Sequence, residues 1–218
     1  VAAYNTMFAQ DGFVVYVPKE VTVEKPLQLI NILRGGVDLN VNRRILVIAE
    51  ENARVKLLVC DHAVDDVHFV VTQVTEVSAA AYSQVDIYEL EENSSKVTRL
   101  NNLFSEQMEH SHVVTSAITL HNGYTRNNFR FRILGEHAHV DAGGLAICDG
   151  SLHIDNFAFL DHAVPHCTSN ELFKTVLDDR ATGVFCGKIL VEKDAQKTQA
   201  YQNNRNLLAS TTDRKSVV

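Results

Sequence analysis

The sequence predicts an all-β chain wound as a single-stranded parallel β-solenoid, and three observations carry that expectation. Val, Ile and Thr supply 28, 10 and 14 of the 218 residues, and their stiff β-branched side chains favour strands over helices. Apolar residues alternate with polar ones wherever a period can be read, and no window keeps the i, i+3, i+4, i+7 stripe of a long helix. The chain has only 10 Gly and 3 Pro, the residues on which tight hairpins depend. Rounded corners between parallel strands fit that scarcity better than an antiparallel meander.

Taken in order, the strand-like runs are 13–17, 27–33, 45–48, 55–60, 67–77, 82–90, 97–104 and 112–120, then 128–133, 140–147, 152–160, 172–177 and 184–191. The clearest is 128–133, where Phe129, Phe131 and Ile133 alternate with Asn128, Arg130 and Arg132, placing apolar groups on one face and polar groups on the other. Acidic and Asn residues mark the breaks, at Glu50-Glu51-Asn52, Asp65-Asp66, Glu91-Glu92-Asn93 and Asp178-Asp179. The chain ends at Arg214-Lys215-Ser216-Val217-Val218, which reads as the start of another strand. With Val1 in first place and no leader-like segment behind it, a fragment is expected.

Internal repetition supports a coil. Asp-His-Ala-Val occurs at 61–64 and again at 161–164, an offset that predicts four or five turns of about 20 to 25 residues. A second pattern, acidic-x-Ala-x-Val, occurs at 51–55 and 136–140, with an echo at Asp179-Arg180-Ala181. Small residues at a corner followed by an inward Val suit stacked rungs whose interior is apolar.

Charge and composition exclude several classes. A formal net charge of -7 repels nucleic acid and anionic membranes. The longest apolar stretch, 45–60, is broken by Glu50, Glu51, Arg54 and Lys56, so no membrane span is expected. Cys60, Cys148, Cys167 and Cys186 are widely spaced, which suggests free thiols in a reducing compartment, the cytoplasm by default.

Candidate sites are sparse. His110 with His112, and His137 with His139, form His-x-His pairs; in a strand each pair projects to one side and could grip a metal, with Asp141 extending the second. The opposing expectation is that Ala138, Val140 and Ala142 point inward and leave these polar groups on the wet face. Cys148, Cys167 and Cys186 are spaced 19 and 19, which in a coil of that rung length would stack the thiols. His162, His166 and Cys167 make the densest soft-ligand stretch and are the metal candidates. Gly183 to Lys188 falls one residue short of a phosphate loop, with Ile189 where Ser or Thr is required. No Gly-x-Ser-x-Gly or Cys-x-x-Cys is present, so no catalytic residues are expected. The competing reading is a cupin-type metal-binding jelly-roll enzyme using His137 and His139.

The final third resembles the core domain of the SufB/SufD family. The matching stretches are Asp161-His162, the segment from Cys167-Thr168-Ser169-Asn170-Glu171 to Val176, Gly183-Val184-Phe185-Cys186-Gly187-Lys188-Ile189, Ala195-Gln196-Lys197-Thr198, and 202–210. The Asn-rich form before Leu207-Leu208 is similar to SufD members. This resemblance implies a right-handed parallel β-helix over 1–218, without the family's flanking helical regions. It also implies a non-enzymatic scaffold of the SufBCD iron–sulfur cluster assembly complex, pairing with a SufB-like subunit and, through a following helical domain, with the SufC ATPase. No cofactor bound by this chain is expected; a transient Fe-S cluster belongs to the full complex. Exposed coil ends would also permit a homodimer in isolation.

Overall fold

A computed structural model describes residues 1–210 and the backbone of 214–217. One short helix, α1 (Ala2–Phe8), precedes the strands. These are β1 (Asp11–Val17), β2 (Leu27–Leu33), β3 (Leu39–Ala49), β4 (Arg54–Ala63), β5 (Phe69–Ala79), β6 (Gln84–Glu92), β7 (Val97–Gln107) and β8 (His112–His121). They continue as β9 (Tyr124–Ile133), β10 (His139–Cys148), β11 (His153–His162), β12 (Thr168–Leu177), β13 (Thr182–Val191), β14 (Gln199–Leu208) and β15 (Arg214–Val217). Odd-numbered strands stack in one sheet and even-numbered strands in the other, each in chain order. All the described strand pairings are parallel.

The chain is therefore a parallel β-solenoid of about seven turns. This overturns the jelly-roll alternative, because a jelly roll is built from antiparallel strands in Greek keys. Each expected run falls on its own strand, and β15 occupies the terminal segment that read as a strand, of which Val218 lies outside the described residues. The strand β14 was not foreseen: its Gln202-Asn203-Asn204-Arg205-Asn206 run has no apolar alternation, and parallel pairing with β12 makes it a strand. Helix α1 is held onto the outer face of β3 and β5 by buried Asn5, whose Nδ2 donates to Arg43 O and Thr72 O, both at 3.1 Å.

The rung length differs from expectation. Asp11 pairs with Arg43 and Thr98 with Tyr124, so one turn takes between 26 and 32 residues rather than 20 to 25. The two Asp-His-Ala-Val copies consequently fall on opposite sheets, in β4 and β11; their offset is not a whole number of turns. The same correction removes the thiol stack. Cys148 ends β10, Cys167 lies in the corner before β12, and Cys186 lies in β13 of the other sheet, beside Phe157.

Register turns the interior into columns, one residue per rung. In the odd sheet Ile45, Thr75, Leu103, Phe129 and Ala158 form one column, mostly apolar and fully buried. Burying a side chain such as Leu103 or Phe129 contributes about 1.5–3 kcal/mol. The adjacent column is polar: Arg43, Gln73, Asn101, Asn127 and Asn156. Gln73 Oε1 accepts from Arg43 Nε at 2.8 Å, and Asn156 Oδ1 accepts from Asn127 Nδ2 at 2.9 Å. Facing this column from the even sheet are Asp61, Glu89 and Glu91, all buried. Arg99 Nε donates to Asp61 Oδ2 at 3.1 Å and Arg99 Nη2 to Glu89 Oε2 at 3.3 Å. The uniformly apolar interior expected from the sequence is thus corrected. Part of the interior is a charged layer whose members pair with one another, with Arg43 Nη1 left without a partner; pairing is the condition under which buried polar groups are tolerated.

Corners leading into the even sheet share one device. Glu20, Asn52, Tyr82, His110, His137, His166 and Lys197 all have φ between 54° and 65°, the left-handed region that turns the chain sharply. In most of them a small buried residue follows, Ala53, Ser83, Ser111, Ala138 or Cys167. Acidic-x-Ala-x-Val marked two of these corners in the sequence, at 51–55 and 136–140, while its echo at 179–181 precedes β13 of the other sheet, where Asp179 has φ 55°.

Candidate metal centre

Ala138, Val140 and Ala142 point inward, at 0%, 0% and 3% exposure, so the neighbouring polar side chains lie on the outer face, as the parity argument required. His137 and His139 nevertheless do not act as a pair along one strand. His137 belongs to the corner, where its φ of 61° takes it out of strand parity. Its ring stacks between His110, with centroids 4.8 Å apart, and His166, at 5.2 Å; Tyr82 extends the stack below His110 at 4.8 Å.

His139 turns instead toward the neighbouring rung. His112 on β8 is its register partner, and the two rings meet edge to face at 4.7 Å. Asp141, two residues along β10, projects to the same side. Its Oδ2 lies 3.0 Å from His112 Nε2 and 3.0 Å from His139 Nε2. His139 Nδ1 is 2.5 Å from Thr168 Oγ1 on β12. Three successive rungs therefore contribute to one cluster, and among the described residues it is the group of three in which ligand atoms converge, all within 4.8 Å. Partial burial pushes the Asp141 carboxyl up, but the hydrogen bond from His112 and the charge and hydrogen bond of His139 outweigh it and hold the group below its ordinary value. Beyond Asp141 the outer face opens into a groove of about 400 Å³ bordered by Val114, Ser116, Gly143, Gly144 and Asn170.

The candidates His162, His166 and Cys167 do not converge. His162 is fully buried inside β11, with Nε2 2.9 Å from Ser169 Oγ, and burial lowers its pKa against the opposing pull of Asp161. His166 is in the corner stack. Cys167 is buried, its thiol donating to Gly135 O at 3.3 Å and Pro165 O at 3.4 Å, and burial raises its pKa. Cys148 is pushed up to about 12, chiefly by burial. Burial of this kind makes the thiols less reactive nucleophiles.

Two other groups lay beyond sequence reasoning. Glu91, enclosed by Asn122, Thr119 and Thr125, is raised to about 7 by burial, with Arg99 opposing and Asp61 reinforcing. Glu171 on β12 is fully buried, neither carboxylate oxygen has a hydrogen-bond partner, and burial raises it to about 7. The His112–His139 pairing did have a sequence signal: Glu-His-Ser-His-Val at 109–113 returns as Glu-His-Ala-His-Val at 136–140. That 27-residue offset is one turn of the coil.

Comparison with known proteins places the chain among iron–sulfur cluster assembly proteins. Residues 32–216 match the family described as "SUF system FeS cluster assembly, SufBD core domain", and residues 1–29 match "SufBD protein N-terminal region". A SufBD family iron–sulfur cluster assembly protein of Synechocystis is 26% identical over 219 residues, covering 96% of this chain and 48% of that protein. The iron–sulfur cluster assembly protein SufD of Escherichia coli is 30% identical over 196 residues, covering 84% of this chain and 44% of SufD. The chain thus spans about half the length of these curated relatives. With the core-domain match covering most of its length and a parallel solenoid beneath it, the chain belongs to the SufBD family of iron–sulfur cluster assembly proteins.

Proposed function

We propose that this chain is the core of a SufD-type, non-enzymatic scaffold subunit of a cytoplasmic SufBCD complex. It pairs with a SufB-like subunit and, through sequence outside the coil, engages a SufC-like ATPase; an Fe-S cluster passes through the assembly as cargo. The observation that carries this reading is the core-domain match over 32–216 on a parallel β-solenoid. Among the described residues no helix is long and apolar enough to cross a membrane.

The test is co-elution of the full-length protein with its SufB-like and SufC-like partners, followed by anaerobic cluster reconstitution with and without it. A stable complex containing all three, and reconstitution that depends on it, is the expected result. Separate elution of the three proteins would count against the reading.

A further inference from the structure

We infer that His112, His139 and Asp141 bind one divalent transition-metal ion of the zinc class, through the two Nε2 atoms and a carboxylate oxygen, with a further position open to the adjoining groove. The inference does not rest on the cluster-assembly reading. Two imidazoles and a carboxylate are borderline-soft ligands suited to such ions, and three protein ligands with an open position is a recurrent zinc arrangement.

The geometry suits an ion in three respects. Four ligands about 2.0–2.1 Å from zinc lie roughly 3.3 Å apart along each tetrahedral edge. The 3.0 Å separations between Asp141 Oδ2 and each Nε2 need open by only a few tenths of an ångström to reach that spacing. Second, the ligands stand on β8 and β10, neighbouring strands within a seven-stranded sheet, so the backbone fixes their spacing before any ion arrives. Third, Thr168 Oγ1 beside His139 Nδ1 can accept a proton as readily as donate one. Metallation at Nε2 leaves the ring proton on Nδ1, and the Thr168 hydroxyl accepts it, a second contact that orients a metal-binding imidazole.

Access and charge agree. The three side chains are 34–38% exposed, so an ion reaches them from solution. Two neutral imidazoles and one carboxylate leave a bound dication with one net positive charge, which water or a small anion entering the groove would complete. The corner stack cannot substitute: rings lying face to face direct their nitrogen lone pairs outward in parallel planes, so His110, His137 and His166 do not converge on one point.

The test is zinc titration of the chelator-stripped chain by calorimetry, with cobalt(II) absorption as a second readout. Saturation at one ion per chain is expected, with a thermal midpoint higher by about 5 °C at a hundredfold excess over Kd. His112→Ala and His139→Ala should each weaken binding at least about tenfold. His137→Ala, and Cys186→Ser at the half-buried thiol, should leave it unchanged. Asp141→Asn keeps the side-chain shape and should also weaken binding about tenfold or more, which keeps the test open if a histidine variant folds poorly. Absence of saturable binding by the unaltered chain up to about 1 mM zinc, or undiminished binding by the Asp141→Asn and His112→Ala/His139→Ala variants, overturns the site.

Discussion

The Arg99 guanidinium and the Asp61 carboxylate meet inside the coil at 3.1 Å, with side chains 3% and 2% exposed. They come from opposite sheets, so their contact ties the two walls of the solenoid across its interior. Burial alone would raise Asp61, yet the charges of Arg43 and Arg99 hold it below its ordinary value. Burial would lower Arg99, and Glu89, Glu91 and Asp61 reverse that.

Removing the cation strands these acids. Arg99→Met should cost about 3–5 kcal/mol, the usual penalty for breaking a buried ion pair from one side. Denaturant unfolding at pH 7.5 measures it. A loss below about 1 kcal/mol would show that Arg43 and the amide column suffice for the acids.

Glu171 makes the opposite prediction. Its folded pKa, about 7, lies above its ordinary carboxylate value. Its contribution to stability is therefore fully present below about pH 4.5 and is lost as pH rises through about 7. Glu171→Gln keeps the shape without the charge. It should be close to neutral near pH 4.5 and stabilising by about 1–3 kcal/mol at pH 8. Equal effects at both values would show that the carboxyl has found a cation or solvent.

His137 sits in left-handed backbone between two stacked rings. His137→Ala loses the stacking, worth about 0.5–1.5 kcal/mol, but keeps a Cβ at positive φ. His137→Gly loses the same contacts and relieves the backbone, so it should be the milder change. Thermal melts of both variants decide the point; a loss above ~2 kcal/mol for Ala would place the ring in a buried role.

The outer-face reading of His139 and Asp141 was legible because alternation needs only period two. Val140 and Ala142 are inward, so the residues beside them are outward. Their union with His112 was not legible along one strand, because it depends on which residue lies a full turn away. The true interval of 26 to 32 residues appears in the Glu-His-x-His-Val repeat, while Asp-His-Ala-Val suggested a wrong one. The corner identity of His137 was likewise hidden: a single residue at positive φ interrupts the strand parity that sequence patterns assume.

By itself, the sequence determined the strand content, the parallel coil and the family, because β-branched alternation, scarce turn residues and linear motifs are local properties. Only the tertiary structure decided what faces what across the interior. Arg43, Arg99, Asp61, Glu89 and Glu91 occupy inward strand positions that hydropathy assigns to solvent. They are stable there because register and sheet spacing bring opposite charges within hydrogen-bond reach of one another.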